Sequence, residues 1–304
     1  MNIIETENLT RRFGKTEAVA GLDLQIPTGR VCALLGPNGA GKTTTIKLIM
    51  NLLTPTQGIA RVMGVDSRNL GPHELAQIGY VSENQQLPLW MTIRQLLDYC
   101  RPFYPDWDPT LERTLLEQFD LPEKRKLKEL SRGMLMKVAL LSSLAYRPKL
   151  LVLDEPFSGL DPLVRSEFVR GVLEVSSLGD WTVFISSHDI DEVDRLCDHI
   201  ILLDGGRLRL SESAETLYAR FRRVEVTLQG GPALVGTLPP SWLELERAGE
   251  LVRFVDSDFN SEATERRCRE MFPTGAVTAH AMSLREIYLT LARTGRAEAK
   301  GAAA

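Results

Sequence analysis

The sequence has no long apolar run, and this absence excludes one class of protein. No stretch of the 304 residues reaches about 18 consecutive apolar positions, so we expect no segment that spans a membrane. The first residues, MNIIETENL, carry acidic side chains and no apolar core, so we also expect no secretory signal peptide. Any role at a membrane would therefore depend on a partner.

Paired cysteines and a large excess of one charge are also lacking. The sequence has no CxxC pair, which favours buried thiols over a zinc site or a disulfide framework. The net charge of −4 argues against a protein whose whole surface binds nucleic acid. With 43% hydrophobic and 25% charged residues, the composition is that of an ordinary globular protein. The four cysteines are Cys32, Cys100, Cys197 and Cys268.

Short apolar strands alternate with helical segments through the first two thirds of the chain. VCALLG (31–36), LLVLD (150–154) and TVFISS (182–187) are typical of strands buried inside a parallel sheet. Helices are predicted from Lys42 to about Leu53 and over 162–178. This alternation predicts an α/β fold, in which helices cover both faces of a mostly parallel sheet.

The rest of the chain suggests how the domains are arranged. Residues 1–30 predict two or three strands, and the region of about 85–145 is mostly helical by pattern. The composition changes after about Leu217, so we expect one domain over 1–220 and a small α+β domain over 221–304 that ends in a flexible tail. In the second domain we predict strands at 224–228, 251–255 and 276–280 and helices at 260–271 and 283–293.

The first motif that carries chemistry is GPNGAGKT, residues 36–43. It fits the P-loop pattern GxxxxGK[ST] and lies between a predicted strand and a predicted helix. Backbone N–H groups of such a loop wrap phosphates at a helix N-terminus, where Lys42 would reach the β- and γ-phosphates and the Thr43 hydroxyl would complete a Mg²⁺ shell. The alternative, a glycine-rich turn with a solvated lysine, does not explain this context. The predicted nucleotide-binding residues are Asn38, Gly39, Gly41, Lys42, Thr43 and Thr44.

The second motif, LLVLDEP, ends a buried strand in two carboxylates. Such a strand end is costly unless the carboxylates handle a cation or a proton. Asp154 is placed to hold Mg²⁺, directly or through water, and Glu155 to act as the general base that polarises a water molecule. The alternative is a surface pair of acidic residues that starts a turn.

His188 directly follows the strand TVFISS, at the sheet edge where α/β proteins bind ligands. A contact with the γ-phosphate is the interpretation that this position favours. The alternative is an ordinary surface or core histidine.

Five motifs in order resemble the ATP-binding subunit of an ABC transporter over about residues 1–220: the P-loop, LSRGM (130–134), LVLDEP, SGLD (158–161) and SSHD (186–189). The resemblance implies a P-loop NTPase with an N-terminal antiparallel β subdomain and an inserted helical subdomain. It also implies that Phe13 stacks on adenine, although a core aromatic at a strand end is the alternative.

The resemblance further assigns contacts between two subunits. LSRGM matches the signature that binds the γ-phosphate of ATP held by the other subunit, through Ser131 and Gly133. Asp161 matches a loop that touches the partner subunit's active site. The alternative for Ser131 is a plain helix N-cap.

Three positions in two segments depart from the family pattern. The usual signature is LSGGQ, so Arg132 and Met134 replace Gly and Gln. The loop after IGYV usually offers Gln to Mg²⁺ and the water, whereas this chain has Glu83 there, followed by Gln85 and Gln86. An acid could still ligate Mg²⁺, and the sequence leaves open which of the three acts.

Together these features imply an ATPase that uses ATP and Mg²⁺. It would be the motor subunit of an ABC transporter that dimerises, as a homodimer or a heterodimer, around two ATP molecules. It would drive transport through a separate permease and so reach the membrane only through that partner, at the inner, cytoplasmic face. IGYVSEN, FYPDWD and the closing MSLREIYLTLAR resemble a branch that mostly exports.

A non-transport ABC ATPase that acts on ribosomes or DNA is the alternative function. The interval from Lys42 to Ser131 is too short for the coiled coils of DNA-acting members, and ribosome-acting members usually carry two modules. We therefore expect no nucleic-acid partner. LPLWM (87–91) is a candidate permease surface, with packing of Trp90 beneath the helical subdomain as the alternative.

Overall fold

The computed structural model describes residues 1–176, 181–194, 196–229 and 237–301. The chain divides into two compact units, Met1–Ser211 and Glu212–Ala304. Among the residues described, no helix combines the length and the apolarity that crossing a membrane requires.

A four-stranded sheet forms the beginning of the first unit. Long strands β1 and β2 are joined at Gly14, whose φ of +59° lies in the region that glycine tolerates best. The two strands pair antiparallel, as do β1 with β4 and β4 with β5, in the order β2-β1-β4-β5. The antiparallel N-terminal subdomain is therefore confirmed. The strands are β1 (Asn2–Phe13), β2 (Thr16–Pro27), β4 (Gln57–Val62) and β5 (Val65–Asp66).

A six-stranded sheet forms the centre of this unit, in the order β10-β9-β3-β8-β7-β6. The pairs β3–β8, β3–β9, β6–β7 and β7–β8 are all parallel, which confirms the predicted mostly parallel sheet. Every residue of β3, β7 and β8 is buried, as their unbroken apolar sequences predict. The strands are β3 (Val31–Leu35), β6 (Ile78–Ser82), β7 (Leu150–Asp154), β8 (Thr182–Ser187), β9 (His199–Asp204) and β10 (Arg207–Ser213).

Four helices connect these strands. The helix after the P-loop ends at Ile49 rather than near Leu53, because the chain turns at Asn51 with a left-handed φ of +56°. Predicted helix 162–178 is observed over Pro162–Ser176, and residues 177–178 lie outside the described part. The helices are α1 (Lys42–Ile49), α2 (Pro72–Leu75), α6 (Pro162–Ser176) and α7 (Ile190–Val193), with a 3-10 turn at Ser67–Asn69.

The inserted helical segment lies between β6 and β7. Side chains fix where its helices begin: Thr92 accepts from the Gln95 backbone N–H in a capping box, and Asp108 caps the next helix, which starts with Pro109. The helices are α3 (Ile93–Cys100), α4 (Pro109–Gln118) and α5 (Arg132–Leu144), with 3-10 turns at Arg101–Phe103 and Leu127–Glu129.

The second unit is an antiparallel sheet with helices, as predicted for a small α+β extension. Its strand order is β12-β13-β11-β14, and its core includes Trp242, Phe254 and Phe272. The edge strand β12 was not predicted. The last helix continues to Gly301, and residues 302–304 of the tail lie outside the described part. The elements are α8 (Ala214–Arg220), β11 (Arg222–Leu228), β12 (Trp242–Ala248), β13 (Leu251–Asp256), α9 (Ser261–Met271), β14 (Thr274–Ala281) and α10 (Leu284–Gly301).

Candidate active site

A cavity of about 540 Å³ brings together most of the predicted site residues. It borders the carboxyl ends of β3, β6, β7 and β8, where ligands of parallel sheets bind. The predicted residues that line it are Phe13, Asn38, Gly39, Gly41, Lys42, Thr43, Thr44, Glu83, Glu155 and His188, and Ala18, Ala40 and Ser158 complete the wall.

At two positions of the P-loop, the backbone of another segment lies too close for any residue that has a Cβ atom. A Cβ at Gly36 would lie 2.3 Å from the Leu203 carbonyl oxygen, and one at Gly41 would lie 2.3 Å from the Ala18 carbonyl oxygen. Gly41 also has a φ of +101°, which other residues rarely adopt. It precedes α1 and offers no side chain to cap it, so the start of this helix beside the cavity is a candidate anion site.

Lys42 is held inside the site by three oxygen atoms. Its Nζ donates to the carbonyl oxygens of Gly36, at 2.8 Å, and Pro37, at 3.3 Å. The same Nζ lies 3.0 Å from Glu155 Oε1, and only 5% of the Lys42 side chain is exposed. The alternative of a solvated lysine is therefore wrong.

Asp154 is surrounded by hydroxyl groups at the end of β7. Thr43 Oγ1 donates to its Oδ1 at 3.0 Å, and Ser186 Oγ donates to the same atom at 2.8 Å. Burial raises the pKa of Asp154, while the two hydroxyl groups oppose that shift. Mg²⁺ is usually held by one or two carboxylates together with substrate phosphates, so the Thr43 and Asp154 oxygens are a donor set that fits this ion.

Glu155 connects the lysine to the histidine. Its Oε1 pairs with Lys42, and its Oε2 lies 2.7 Å from His188 Nδ1 and accepts from the His188 backbone N–H at 3.3 Å. Glu155 has a φ of +51°, so the alternation of side chains along β7 is broken directly after Asp154. The carboxylates of Asp154 and Glu155 therefore both lie at the carboxyl end of β7, as the motif predicted. The alternative of a surface pair is wrong.

Of the three candidates in the loop after β6, only Glu83 lines this cavity. Its Oε1 accepts from Ser158 Oγ at 2.7 Å and lies 3.1 Å from Arg132 Nη2. The hydrogen bond from Ser158, followed by the Arg132 contact, lowers the pKa of Glu83 although burial opposes the shift. Gln85 and Gln86 instead line a neighbouring cavity of about 420 Å³. Which of the three serves Mg²⁺ stays a prediction, and this placement favours Glu83.

Phe13 lies at the rim of the cavity, at the end of β1. Its ring is 47% exposed, so the alternative of a core aromatic is wrong. The guanidinium carbon of Arg11 lies 4.7 Å from the ring centroid on one side. A half-exposed ring beside a P-loop is available to stack on a base, as the resemblance implied.

The remaining predicted residues, Ser131, Gly133 and Asp161, do not line this cavity in the described part of the chain. Ser131 caps α5 by accepting from the Met134 N–H at 3.2 Å, and Asp161 caps α6 by accepting from Val164 at 3.0 Å. A Cβ at Gly133 would lie 2.7 Å from Val164 Cγ1, so glycine is needed where α5 meets α6. Each residue has a structural role, and their contacts with a second subunit stay predictions.

Sequence reasoning missed three residues that shape the site, Ser158, Ser186 and Arg132. The two serines hold Glu83 and Asp154, and Arg132 holds Glu83. Ser158 and Ser186 belong to the SGLD and SSHD motifs, so their position beside the site was a signal that could have identified them.

Leu89 and Trp90 are exposed in the loop before α3. Their exposed fractions are 49% and 69%. The alternative in which Trp90 packs beneath the helical segment is therefore wrong.

Comparison with known proteins identifies the family. The model of the family described as "ABC transporter" matches residues 19–158. An uncharacterized ABC transporter ATP-binding protein of Bacillus subtilis is 33% identical over 234 residues, which cover 74% of this chain and 76% of that protein. A bacitracin transport ATP-binding protein of Enterococcus faecalis is 32% identical and covers 73% of this chain and 72% of that protein. A solved ATP-binding subunit of an ABC transporter superimposes with a TM-score of 0.65 at 26% identity, over 71% of this chain and 92% of that one. The chain therefore belongs to the ATP-binding proteins of ABC transporters.

Proposed function

We propose that this chain hydrolyses ATP as the motor subunit of a transporter and drives transport, in the export direction, through a separate permease. The observation that carries the proposal is that Lys42, Thr43, Glu155 and His188 surround one cavity, with Asp154 bonded to Thr43 at its wall. A phosphate-binding loop, a candidate metal ligand and a candidate general base thus occur together, as phosphoryl transfer to water requires.

Each residue of the cavity would have its own role in binding ATP or Mg²⁺. The N–H groups before α1 and the Lys42 ammonium would bind the β- and γ-phosphates. Thr43 and Asp154 would hold Mg²⁺, and both described contacts of the Glu83 carboxylate use Oε1, which leaves Oε2 to approach the ion or the water. When bound, Mg²⁺ neutralises charge on the phosphate oxygens. His188 would contact the γ-phosphate, and Phe13 would stack on the adenine.

Glu155 would act as the general base. It takes one proton from a water molecule, whose oxygen forms a bond to the γ-phosphorus while the bond to the oxygen shared with the β-phosphate breaks. The products are ADP and inorganic phosphate. The same carboxylate pairs with Lys42, so ATP phosphates that bind the lysine would compete with Glu155 for it. Binding would therefore release the base for catalysis.

A second ATP-binding subunit would complete the site. This proposal is supported by the position of Ser131, Gly133 and Asp161, which are at helix starts outside the cavity of their own chain. The start of α5 combines free N–H groups with the positive end of a helix dipole, and this combination suits a phosphate presented by another chain.

The permease would bring this subunit to the inner face of the membrane. The Enterococcus faecalis relative is named for bacitracin transport, which supports a transport role but does not identify this chain's substrate. The exposed Leu89 and Trp90 supply an apolar contact for a partner helix.

A mixing experiment tests the two-subunit site, with two copies of this chain as the dimer. Lys42→Ala and Ser131→Arg proteins should each be nearly inactive in a Mg²⁺-dependent ATPase assay. In a mixed dimer both defects fall in one site and the other site is intact, so mixing should restore part of the activity. A Ser131→Arg protein that is folded and fully active alone would show that the residue is only a cap.

Ser213→Arg is a matched control for this experiment. Ser213 caps α8 in the same way, by accepting from the Thr216 N–H at 3.0 Å, but it has no place in the cavity. If Ser213→Arg loses as much activity as Ser131→Arg, the loss reflects helix capping rather than a phosphate contact.

A further inference from the structure

Two of the three residues that depart from the family pattern, Glu83 and Arg132, contact each other. Glu83 follows β6 where the family usually has Gln, and Arg132 begins α5 where the signature usually has Gly. Arg132 Nη2 lies 3.1 Å from Glu83 Oε1. The two departures therefore form one ion pair, although they are far apart in the sequence.

The loop after β7 completes this contact. Ser158 Oγ donates to the same Glu83 Oε1 at 2.7 Å. A Cβ at Gly159 would lie 2.9 Å from Arg132 Nη1, and Gly159 has a φ of +68°. The guanidinium therefore occupies the space that a side chain at residue 159 would need. Three separate segments of the chain thus shape the position of one carboxylate.

A negative charge on Glu83 that had no cationic partner would oppose the binding of phosphates in the cavity. Glu83 lines the same cavity as Glu155, and the substrate brings a triphosphate into it. Like charges that line one cavity repel more strongly when they are partly shielded from water. The contacts of Glu83 Oε1 with Ser158 Oγ and with the Arg132 guanidinium are those of a carboxylate held by a hydroxyl donor and a cation. Lys42, which also lines the cavity, already pairs with Glu155.

We propose that Arg132 is a positioning residue: it neutralises Glu83 and holds Glu83 Oε1 at Ser158, so that an acidic residue can stand beside the phosphates of ATP. This inference rests on the proposed function, since it assumes that the cavity binds ATP. On this view Arg132 replaces the signature glycine because Glu83 replaces the usual Gln. Either of these two replacements alone would then alter ATP binding.

A double-mutant cycle tests the pair. The proteins are Arg132→Gln, Glu83→Gln and the double variant, each measured for the Kd of ATP and for KM and kcat of hydrolysis. Arg132→Gln alone should raise the Kd and KM by about three- to tenfold, because it leaves Glu83 uncompensated. Added to Glu83→Gln, the same substitution should change the Kd and KM less than twofold. Arg132→Lys should restore most of the affinity, since it keeps the charge.

Three outcomes would overturn the proposal. Equal losses from Arg132→Gln in both backgrounds would mean that Arg132 acts on phosphate itself or on the fold. No loss in either background would mean that the pair has no role in binding. A fall in kcat with unchanged KM and Kd would also contradict a role in charge compensation.

Two further variants complete the series. Arg147→Gln is the matched control, because Arg147 pairs with Asp108 at 2.6 Å with similar exposure, 44% against 51% for Arg132, but outside the cavity. It should leave Kd and KM unchanged. Lys42→Ala checks the proposed function separately, because ATP binding that survives this change would refute the cavity as the ATP site whatever the cycle shows.

Discussion

Replacing Glu155 with Gln should have opposite effects on ATP binding and on ATP hydrolysis. Glu155 Oε1 lies 3.0 Å from Lys42 Nζ, and the two side chains are only 12% and 5% exposed. ATP must displace this carboxylate from the lysine before its phosphates can take its place. Glutamine keeps the shape and the hydrogen-bonding oxygen but removes the charge, so it competes less well for Lys42.

The size of each effect follows from the contacts. A hydrogen bond to a charged group is worth about 1.5–3 kcal/mol when both partners carry charge, and a neutral acceptor gives about 1 kcal/mol less. ATP affinity should therefore rise about fivefold to tenfold. Hydrolysis should slow by about 10² to 10⁴, which corresponds to about 2.7–5.5 kcal/mol of barrier, because a positioned general base contributes that much.

Both effects can be measured on one preparation. A fluorescent ATP analogue gives the Kd in the variant and in the wild type, and phosphate release gives kcat. Glu167→Gln is the matched control, because Glu167 forms an ion pair with Lys137 between α5 and α6, away from the cavity. Weaker ATP binding in Glu155→Gln would refute competition for Lys42, and near wild-type turnover would refute the assignment of the base.

Three other changes test separate parts of the structure. Asp154→Asn should abolish Mg²⁺-dependent hydrolysis but leave the Tm of the protein equal to or above that of the wild type. Burial raises the pKa of Asp154, so ionisation of this carboxyl lowers the stability of the folded protein as the pH rises through that pKa. Calorimetry that starts at the ordinary carboxyl pKa of 3.8 and moves to higher pH should show this loss of stability reduced in the variant. Gly133→Ala should lower the free energy of unfolding by about 1–3 kcal/mol, because the new Cβ would lie 2.7 Å from Val164 Cγ1. Denaturant unfolding should show that adding Val164→Ala restores part of this free energy. Trp90→Ala should leave the ATPase activity and the Tm unchanged, since the side chain is 69% exposed, but should abolish permease-coupled transport. Leu52→Ala, at a position that is 56% exposed, is the control and should not abolish transport.

Local patterns in the sequence were enough to predict the parallel sheet, and most of the predicted site residues line one cavity. Strands β3, β7 and β8 are short and apolar throughout, which is the signal of a strand buried on both faces. Site residues follow these strands directly, so predicting the strands also predicted which side chains meet at their carboxyl ends. Lys42 and Glu155 follow two of these strands and lie in contact.

What the sequence could not predict depends on weak local signals or on contacts between distant segments. Strand β12 is at the edge of its sheet, and its sequence WLELERA has three charged residues because it pairs on one side only. The helix α1 ends early because Asn51 adopts a left-handed conformation. The contact of Arg132 with Glu83 joins residues from two segments, and no periodicity or motif in one sequence reports such a pairing.

The backbone at Glu155 has a consequence for how this protein can change over generations. A glutamate with a φ of +51° occupies a conformation that glycine or asparagine adopts more easily, and such positions typically cost about 1–3 kcal/mol. Every folded copy bears this cost, whether or not ATP is present. A descendant chain relieved of its ATPase role would gain backbone stability by exchanging this glutamate for glycine. Loss of catalysis would then begin at residue 155, in a protein that still folds and still carries an intact P-loop.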